Sequence, residues 1–414
     1  MSRSSCCASR LSCRTVAIPT SGSVQMDARS IHTPRIISGP IRLSFAKAHF
    51  TNRRPVTSFG TFRTGRRIPA RAGQPIVDPS GWEPEDLVAA DDWIYRLTPD
   101  DIAEIQAAVD AVVTRGVAPQ DICREVFPLP RFAAILADVR CELQGGRGIV
   151  VLRGLPVADM GRERAARAFL GIGAHLGKPV SQNAYGHLLG HVRDFGKNYD
   201  DPRFRGYQSN AALGFHCDHC DYVGLLCMQT SRSGGDSRVA SAVTLYNRML
   251  ALRSDLVAVL ERDFYFTRHG EVPPGKSEWY TQPVFSFHDG YYSARGVSAY
   301  IRKAQGLPGV PPFTPEQEEA MALYVATVES CAADIPFAVG DIQWLHNHVM
   351  LHSRRAFTDW PDTARRRHLY RLWIKEAQSR PLPEGVQENF NGIYVPEGRH
   401  QVVIDPERAE EAAA

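Results

Sequence analysis

The sequence predicts an α+β protein with a mainly β core, and three observations lead there. Between Trp82 and Gly177 apolar residues recur at helical spacing around one apolar run. After Asn183 the texture becomes short apolar or alternating runs split by Gly, Pro, Asn and Ser. A single further helical pattern then breaks that β texture near residue 314. In order, Thr98-Pro99-Asp100-Asp101 is a helix start, with Thr as N-cap, Pro at the first helical position and acids in the first turn. Ile102, Ile105, Val109, Val112 and Val113 carry the helix to Gly116. A second helix is expected over Pro130 to Leu143, ended by Gly145-Gly146, and Gly148 to Leu152 reads as a buried strand. A third helix runs from Arg162 to Leu176 and stops at Gly177. Val223 to Met228, Arg238 to Ala242, Val284 to Phe287 and Leu369 to Ile374 read as strands, and Thr314-Pro315-Glu316-Gln317 opens a helix reaching about Cys331. There is no internal repeat.

Charge is distributed unevenly along the 414 residues. Residues 1–77 hold 13 Lys or Arg against the single acid Asp27, whereas residues 78–414 carry 35 basic and 44 acidic residues. The folded part is therefore acidic, which argues against a nucleic-acid surface. Residues 1–75 are rich in Arg, Ser, Thr and Pro without sustained periodicity, and are expected to be disordered. Their composition is also that of an organellar import segment, and the odd, scattered cysteines fit a reducing compartment, so the expected location is intracellular, mitochondrial if that segment is read and cytoplasmic otherwise. The domain is expected over 76–400, with a flexible tail over 401–414. No apolar run is long enough for a membrane helix. Nine scattered cysteines form no disulfide framework. Cys217 and Cys220 make a lone Cys-x-x-Cys without the second pair that a structural zinc site needs.

The chemistry concentrates in two segments. Leu213-Gly214-Phe215-His216-Cys217-Asp218 sets a His and an Asp two residues apart, on one face if the strand continues through both. Downstream, Asn347-His348-Val349-Met350-Leu351-His352-Ser353-Arg354 offers further imidazoles. Two histidines and a carboxylate on one face of an octahedron form the facial triad of non-haem Fe(II) oxygenases, with three positions left open. Alternation puts Cys217 and His219 on the face opposite His216 and Asp218; His346 and His348 remain competing imidazoles. In Arg365-Arg366-Arg367-His368-Leu369-Tyr370-Arg371-Leu372-Trp373, residues 367, 369, 371 and 373 share one strand face, so Arg367 and Arg371 both aim inward. A guanidinium there needs an anionic partner and matches a carboxylate bidentately.

With these pieces in order, together with Gly234-Gly235-Asp236-Ser237, Gly340-Asp341-Ile342-Gln343 and Phe357-x-Asp359, the chain resembles the taurine dioxygenase-like (TauD/TfdA) Fe(II)- and 2-oxoglutarate-dependent oxygenases from Trp82 to Pro383. The resemblance implies a double-stranded β-helix, a cupin-like jelly roll flanked by helices. It implies His216, Asp218 and His352 as catalytic iron ligands. It implies Arg367 on the distal carboxylate of 2-oxoglutarate with Ser237 hydrogen-bonding it, Arg371 near the co-substrate's other end, and Arg366 as the rival of Arg367. The implied reaction uses O2 to hydroxylate or desaturate a C–H bond of a small molecule, releasing succinate and CO2; the intact Asp218 argues against halogenation. Ser181, Gln182, Asn183, Arg193, Tyr207 and Gln208 lie where relatives build substrate contacts, and Arg193 near the cavity would favour an anionic substrate. Self-association is compatible with all of this. The competing readings are a zinc hydrolase on the same ligands, which leaves the arginines unexplained, and a non-catalytic jelly-roll binding or sensing protein.

Overall fold

A computed structural model describes residues 66–197 and 206–411. Most of the basic N-terminal segment, and with it the import expectation, lies outside the described residues. Residues 66–75, expected to be disordered, are held in place. Ile68 N donates to Val77 O, Ala70 N to Gly290 O and Ile76 N to Asn247 Oδ1, so backbone hydrogen bonds hold residues 66–77 where side-chain burial is sparse.

After a short helix, Pro84–Ala89, the helix Pro99–Thr114 opens with a capping box in which Thr98 and Asp101 exchange side-chain-to-backbone hydrogen bonds. Helix Phe132–Gly145 and strand Ile149–Arg153 follow. The next helical stretch, Val157–Leu176, begins five residues before the expected start, but Gly161 breaks it at a φ of 70°. The regular part therefore starts at Arg162, where the apolar period starts. One correction concerns helix count. Ser241 ends the strand Ser237–Ser241 and caps a helix, Ala242–Leu252, through the amide of Thr244; a second helix, Ser254–Leu260, follows. Ala242, Val243, Leu245, Tyr246 and Met249 are all buried, so the helix was hidden in what reads as apolar β texture. Pro315–Ser330 is helical as spaced, again with a capping box.

Two sheets form the core. The larger has the order Ile94–Arg96, Ile149–Arg153, Ile342–His346, Tyr222–Gln229, His368–Lys375 and Lys178–Pro179, with Leu189–Val192 also pairing onto His368–Lys375. The smaller runs Ala332–Ile335, Ser237–Ser241, Met350–Arg354, Leu213–His216, antiparallel throughout. Neither closes into a barrel. Ile149, Val151, Val223, Leu345 and Trp373 from the larger sheet meet Val239, Ala333, Ile335 and Met350 from the smaller, which is the jelly-roll interior. The outer face of the larger sheet, including Trp344, Tyr370 and Leu372, packs against Ile105, Val109, Phe132, Leu136 and Phe169 of the helices. A Cβ on Gly224 would stand 2.4 Å from the Trp344 ring, so that indole fits only over a glycine. Helices Ala242–Leu252 and Pro315–Ser330 cover the smaller sheet through Tyr246, Met249, Met321 and Tyr324.

The C-terminal segment, expected as a flexible tail, has specific contacts through residue 408. Leu188 N donates to Gln401 O, His191 Nε2 lies 2.8 Å from Val403 O, and Arg193 pairs with Glu407 at 3.2 Å. Val402 and Ile404 also pack against the core, but the apolar residues are too few to show a period, and backbone groups and an ion pair complete the docking. No helix among the described residues is long and apolar enough to cross a membrane.

Candidate active site

The apolar packing of the sandwich gives way to polar side chains at one end. There the strand Met350–Arg354 pairs with Leu213–His216 so that His352 lies directly opposite His216, and their ring centroids are 4.2 Å apart. Asp218 sits two residues beyond the end of that strand. The shared face expected from alternation is thus achieved by a fixed loop and not by a continuing ladder. One ligand atom from each of His216, Asp218 and His352 lies within 4.8 Å of the others. His216 Nδ1 is 2.9 Å from Gly214 O, a contact that places the proton on Nδ1 and leaves the Nε2 lone pair to the centre. Burial is the first force on all three groups. It drives the His352 imidazole down to about 3, assisted by His216, and lowers His216 as well. Burial alone would raise Asp218. Arg371 at 3.6 Å, the two imidazoles and the Trp373 indole N–H at 2.8 Å outweigh it and hold the carboxyl far below its ordinary range. Two neutral imidazoles beside an ionised carboxylate are the donor set that a divalent transition metal takes.

The other nearby histidines are spent elsewhere. His219 Nε2 is 2.8 Å from Arg295 Nη2. His348 lies in the turn before its strand, 2.8 Å from Asp221 Oδ1 and 3.3 Å from Ser293 Oγ. His346 is buried edge-on to Tyr222 and His348. Cys217 and Cys220 enter different apolar clusters, so they make no zinc pair; burial pushes the Cys217 thiol up to about 12.

A cavity of about 180 Å³ opens on the three ligand candidates, lined also by Ser237, Arg354, Arg367, Leu369, Arg371 and Trp373. Arg367 is 5% exposed. Its Nη2 donates to Gly235 O at 3.2 Å, its backbone amide donates to Asp359 Oδ1 at 2.7 Å, and the guanidinium lies 5.1 Å from the Phe357 ring centroid. Nη1 has no partner, and no carboxylate of the described residues lies within ion-pair distance. Burial accordingly drags the guanidinium down to about 10. Gly235 has a φ of 77°, and a Cβ there would stand 3.0 Å from Arg367 Nε, so glycine keeps the arginine's berth open. Arg366 is half-buried and does not line the cavity. Ser237 Oγ donates to Gln343 Oε1 at 3.0 Å. Arg371, expected at the co-substrate's far end, also reaches Asp218; its Nε donates to Gln182 Oε1 at 2.7 Å and its face lies 4.8 Å from Tyr207.

Of the expected substrate contacts, Tyr207 lines the cavity and Gln182 acts through Arg371. Arg193 points away, to Thr363 O and Glu407. Ser181 and Asn183 bond within their own loop, and Gln208 accepts from Phe195 N. Sequence reasoning missed the wall made by His269, Val297, Ser298, Tyr300 and Lys303. The helix Ala299–Ala304, which carries part of it, is too short to show a period.

The family described as Taurine catabolism dioxygenase TauD, TfdA family matches residues 114–373. The chain belongs to this family. It is an Fe(II)- and 2-oxoglutarate-dependent oxygenase. FR-33289 synthase of Streptomyces rubellomurinus is 31% identical, over 77% of this chain and 96% of that protein. The taurine hydroxylase-like protein SAT17 of Stachybotrys chartarum is 27% identical over 77% and 85%. Among solved structures, an asparagine oxygenase in complex with Fe(II), 2S,3S-3-hydroxyasparagine and succinate has a TM-score of 0.53 at 20% identity, covering 68% of this chain and 93% of that one. The non-heme iron oxygenase OrfP in complex with Fe, succinate and (3S)-hydroxy-L-Arg also has a TM-score of 0.53, at 14% identity, over 68% and 94%. These two likenesses show the jelly-roll fold.

Proposed function

We propose that this TauD/TfdA-family oxygenase hydroxylates an unactivated C–H bond of a small anionic molecule, with His216, Asp218 and His352 holding the iron and Arg367 receiving the distal carboxylate of 2-oxoglutarate. The observation that carries the reading is Arg367, a buried guanidinium with an unpartnered Nη1, on the wall of the cavity that also presents the three ligand candidates. When bound, iron and 2-oxoglutarate supply the oxidising power together with O2, and succinate and CO2 leave. The protein's part is positional. Gly214 O orients His216, and the Trp373 indole and Arg371 hold the Asp218 carboxylate by Oδ2. A carboxylate in that ligand place leaves none for halide, which favours oxygenation or desaturation. Ser237 now spends its proton on Gln343 Oε1, while Gln343 Nε2 lacks a partner. Reversing that amide would turn Gln343 into the donor and release the Ser237 hydroxyl for the co-substrate carboxylate.

Charge supports the anionic substrate. Arg354, Arg367, Arg371 and Lys303 line the cavity against Asp218 as the one carboxylate among the described lining residues. Iron(II) and the 2-oxoglutarate dianion cancel, so the lining keeps more basic than acidic side chains around the substrate. The test is anaerobic: Fe(II), then 2-oxoglutarate, is added to the full chain and to Asp218→Ala. A visible iron-to-keto charge-transfer band is expected in the parent and not in the variant; iron uptake without a band would overturn the co-substrate assignment. Succinate release should then rank anionic compounds above neutral isosteres, and Lys303→Met should raise KM for the former alone.

A further inference from the structure

A second buried arginine stands on the opposite side of the Asp218 segment. Arg295 follows the strand Tyr291–Ala294 and is 5% exposed. Its Nη1 donates to the carbonyls of Cys217 at 3.0 Å and Asp218 at 3.1 Å; its Nη2 reaches His219 Nε2 at 2.8 Å and Tyr280 Oη at 3.3 Å. The rings of Phe390 and Phe266 lie 5.2 and 5.9 Å from the guanidinium carbon. Nε is unpartnered, and no carboxylate of the described residues lies within ion-pair distance. Burying a guanidinium without an anion is costly, and a hairpin end that needed only packing would be served by Leu or Met.

What the guanidinium holds explains the cost. Besides Tyr280, its acceptors are three successive residues, 217 to 219, just where the chain has left the strand Leu213–His216 and has no ladder to fix it. From the other side Asn347 Oδ1 accepts from Asp218 N at 3.0 Å, and its Nδ2 donates to the carbonyls of Asp218 and Cys220. The Asp218 carbonyl thus takes two donors from residues far away in the chain, Arg295 and Asn347. With both lone pairs engaged, the peptide cannot turn, and the short aspartate stem carries that rigidity to the carboxylate.

We infer that Arg295 is a positioning residue for the iron centre: with Asn347 it clamps the Asp218 peptide, and through His219 it joins the metal side of the cavity to the Tyr300 wall, whose ring centroid lies 5.6 Å from that of His219. The inference rests on Asp218 as an iron ligand. Fe(II) is titrated anaerobically, against a competing chelator, into the full-length protein, Arg295→Lys and Arg295→Met, and the metal-free melting temperature of each is recorded. The variants are expected to bind Fe(II) about 10- to 100-fold more weakly, with metal-free melting temperatures within a few degrees of the parent and a displaced charge-transfer band once 2-oxoglutarate is added. Parent-like iron affinity in both variants overturns the inference. If neither variant folds, Tyr280→Phe, which removes one of the two acceptors of Nη2, should weaken Fe(II) binding in the same direction, and unchanged affinity there overturns it equally. Failure of the parent to bind Fe(II) would instead sink the ligand assignment, a distinguishable result.

Discussion

Replacing Arg367 by Met separates binding from folding because the two effects have opposite signs. In the metal-free protein the guanidinium is buried without an anion, and burial brings its pKa down from its ordinary value to about 10. At 1.36 kcal/mol for each factor of ten in the acid constant, keeping the charged form there costs about 3 kcal/mol. Methionine removes that cost and gives up a 3.2 Å hydrogen bond to Gly235 O and the contact with Phe357, together about 1–2 kcal/mol. Arg367→Met should therefore be as stable as the parent without ligands, or more stable by about 1 kcal/mol, a few degrees or less in melting temperature for a chain of this size. 2-Oxoglutarate binding should collapse. Truncating one partner of a buried charge pair costs about 2–5 kcal/mol, or roughly 30- to 5,000-fold in Kd. Urea melts of the metal-free protein and anaerobic titration of the charge-transfer band read the two effects separately. Native 2-oxoglutarate affinity in Arg367→Met would refute the reasoning. A loss produced by Arg366→Met instead would move the role to its neighbour.

Two other outcomes follow from the same geometry. Trp373→Phe removes the indole N–H from Asp218 Oδ2 while keeping an aromatic ring in the core; it should weaken Fe(II) binding about tenfold, and unchanged iron affinity would detach the indole from the site. Burial holds His191, stacked on His368, down to about 4 from 6.5. The unfolded chain therefore takes the proton first, and the stabilisation present above pH 6.5 is lost as the pH falls from 6.5 toward 4. By pH 5 this amounts to about 2 kcal/mol. Melting temperatures between pH 7 and 5 should fall, and should fall less in His191→Gln, whose amide can serve both Val403 O and His368; identical profiles would refute the assignment.

The helices behind Thr98 and Thr314 were legible from a cap followed by a 3.6-residue period, whereas the helix capped by Ser241 was hidden because its apolar residues continue those of the preceding strand. The inward face of His368–Lys375 was legible from alternation alone, because a strand has only two faces: Leu369, Arg371 and Trp373 look inward, and Tyr370, Leu372 and Ile374 outward. His216, Asp218 and His352 were legible through the family resemblance, since His-x-Asp alone is a weak pattern and His346 and His348 competed with His352; the fold brings the three together. Local sequence did not show how Asp218 is held once its strand ends. Asn347 lies 129 residues away and Arg295 lies 77 away, and nothing in the neighbourhood of either names its acceptor. Arg193 and Arg367 are both arginines near strand ends, yet one turns to Glu407 and the other to the cavity. Short-range spacing therefore determined which residues share a face. Only the tertiary structure decided which buried charges find partners within the chain and which are left for a ligand, because that depends on contacts between segments whose separation no periodicity encodes.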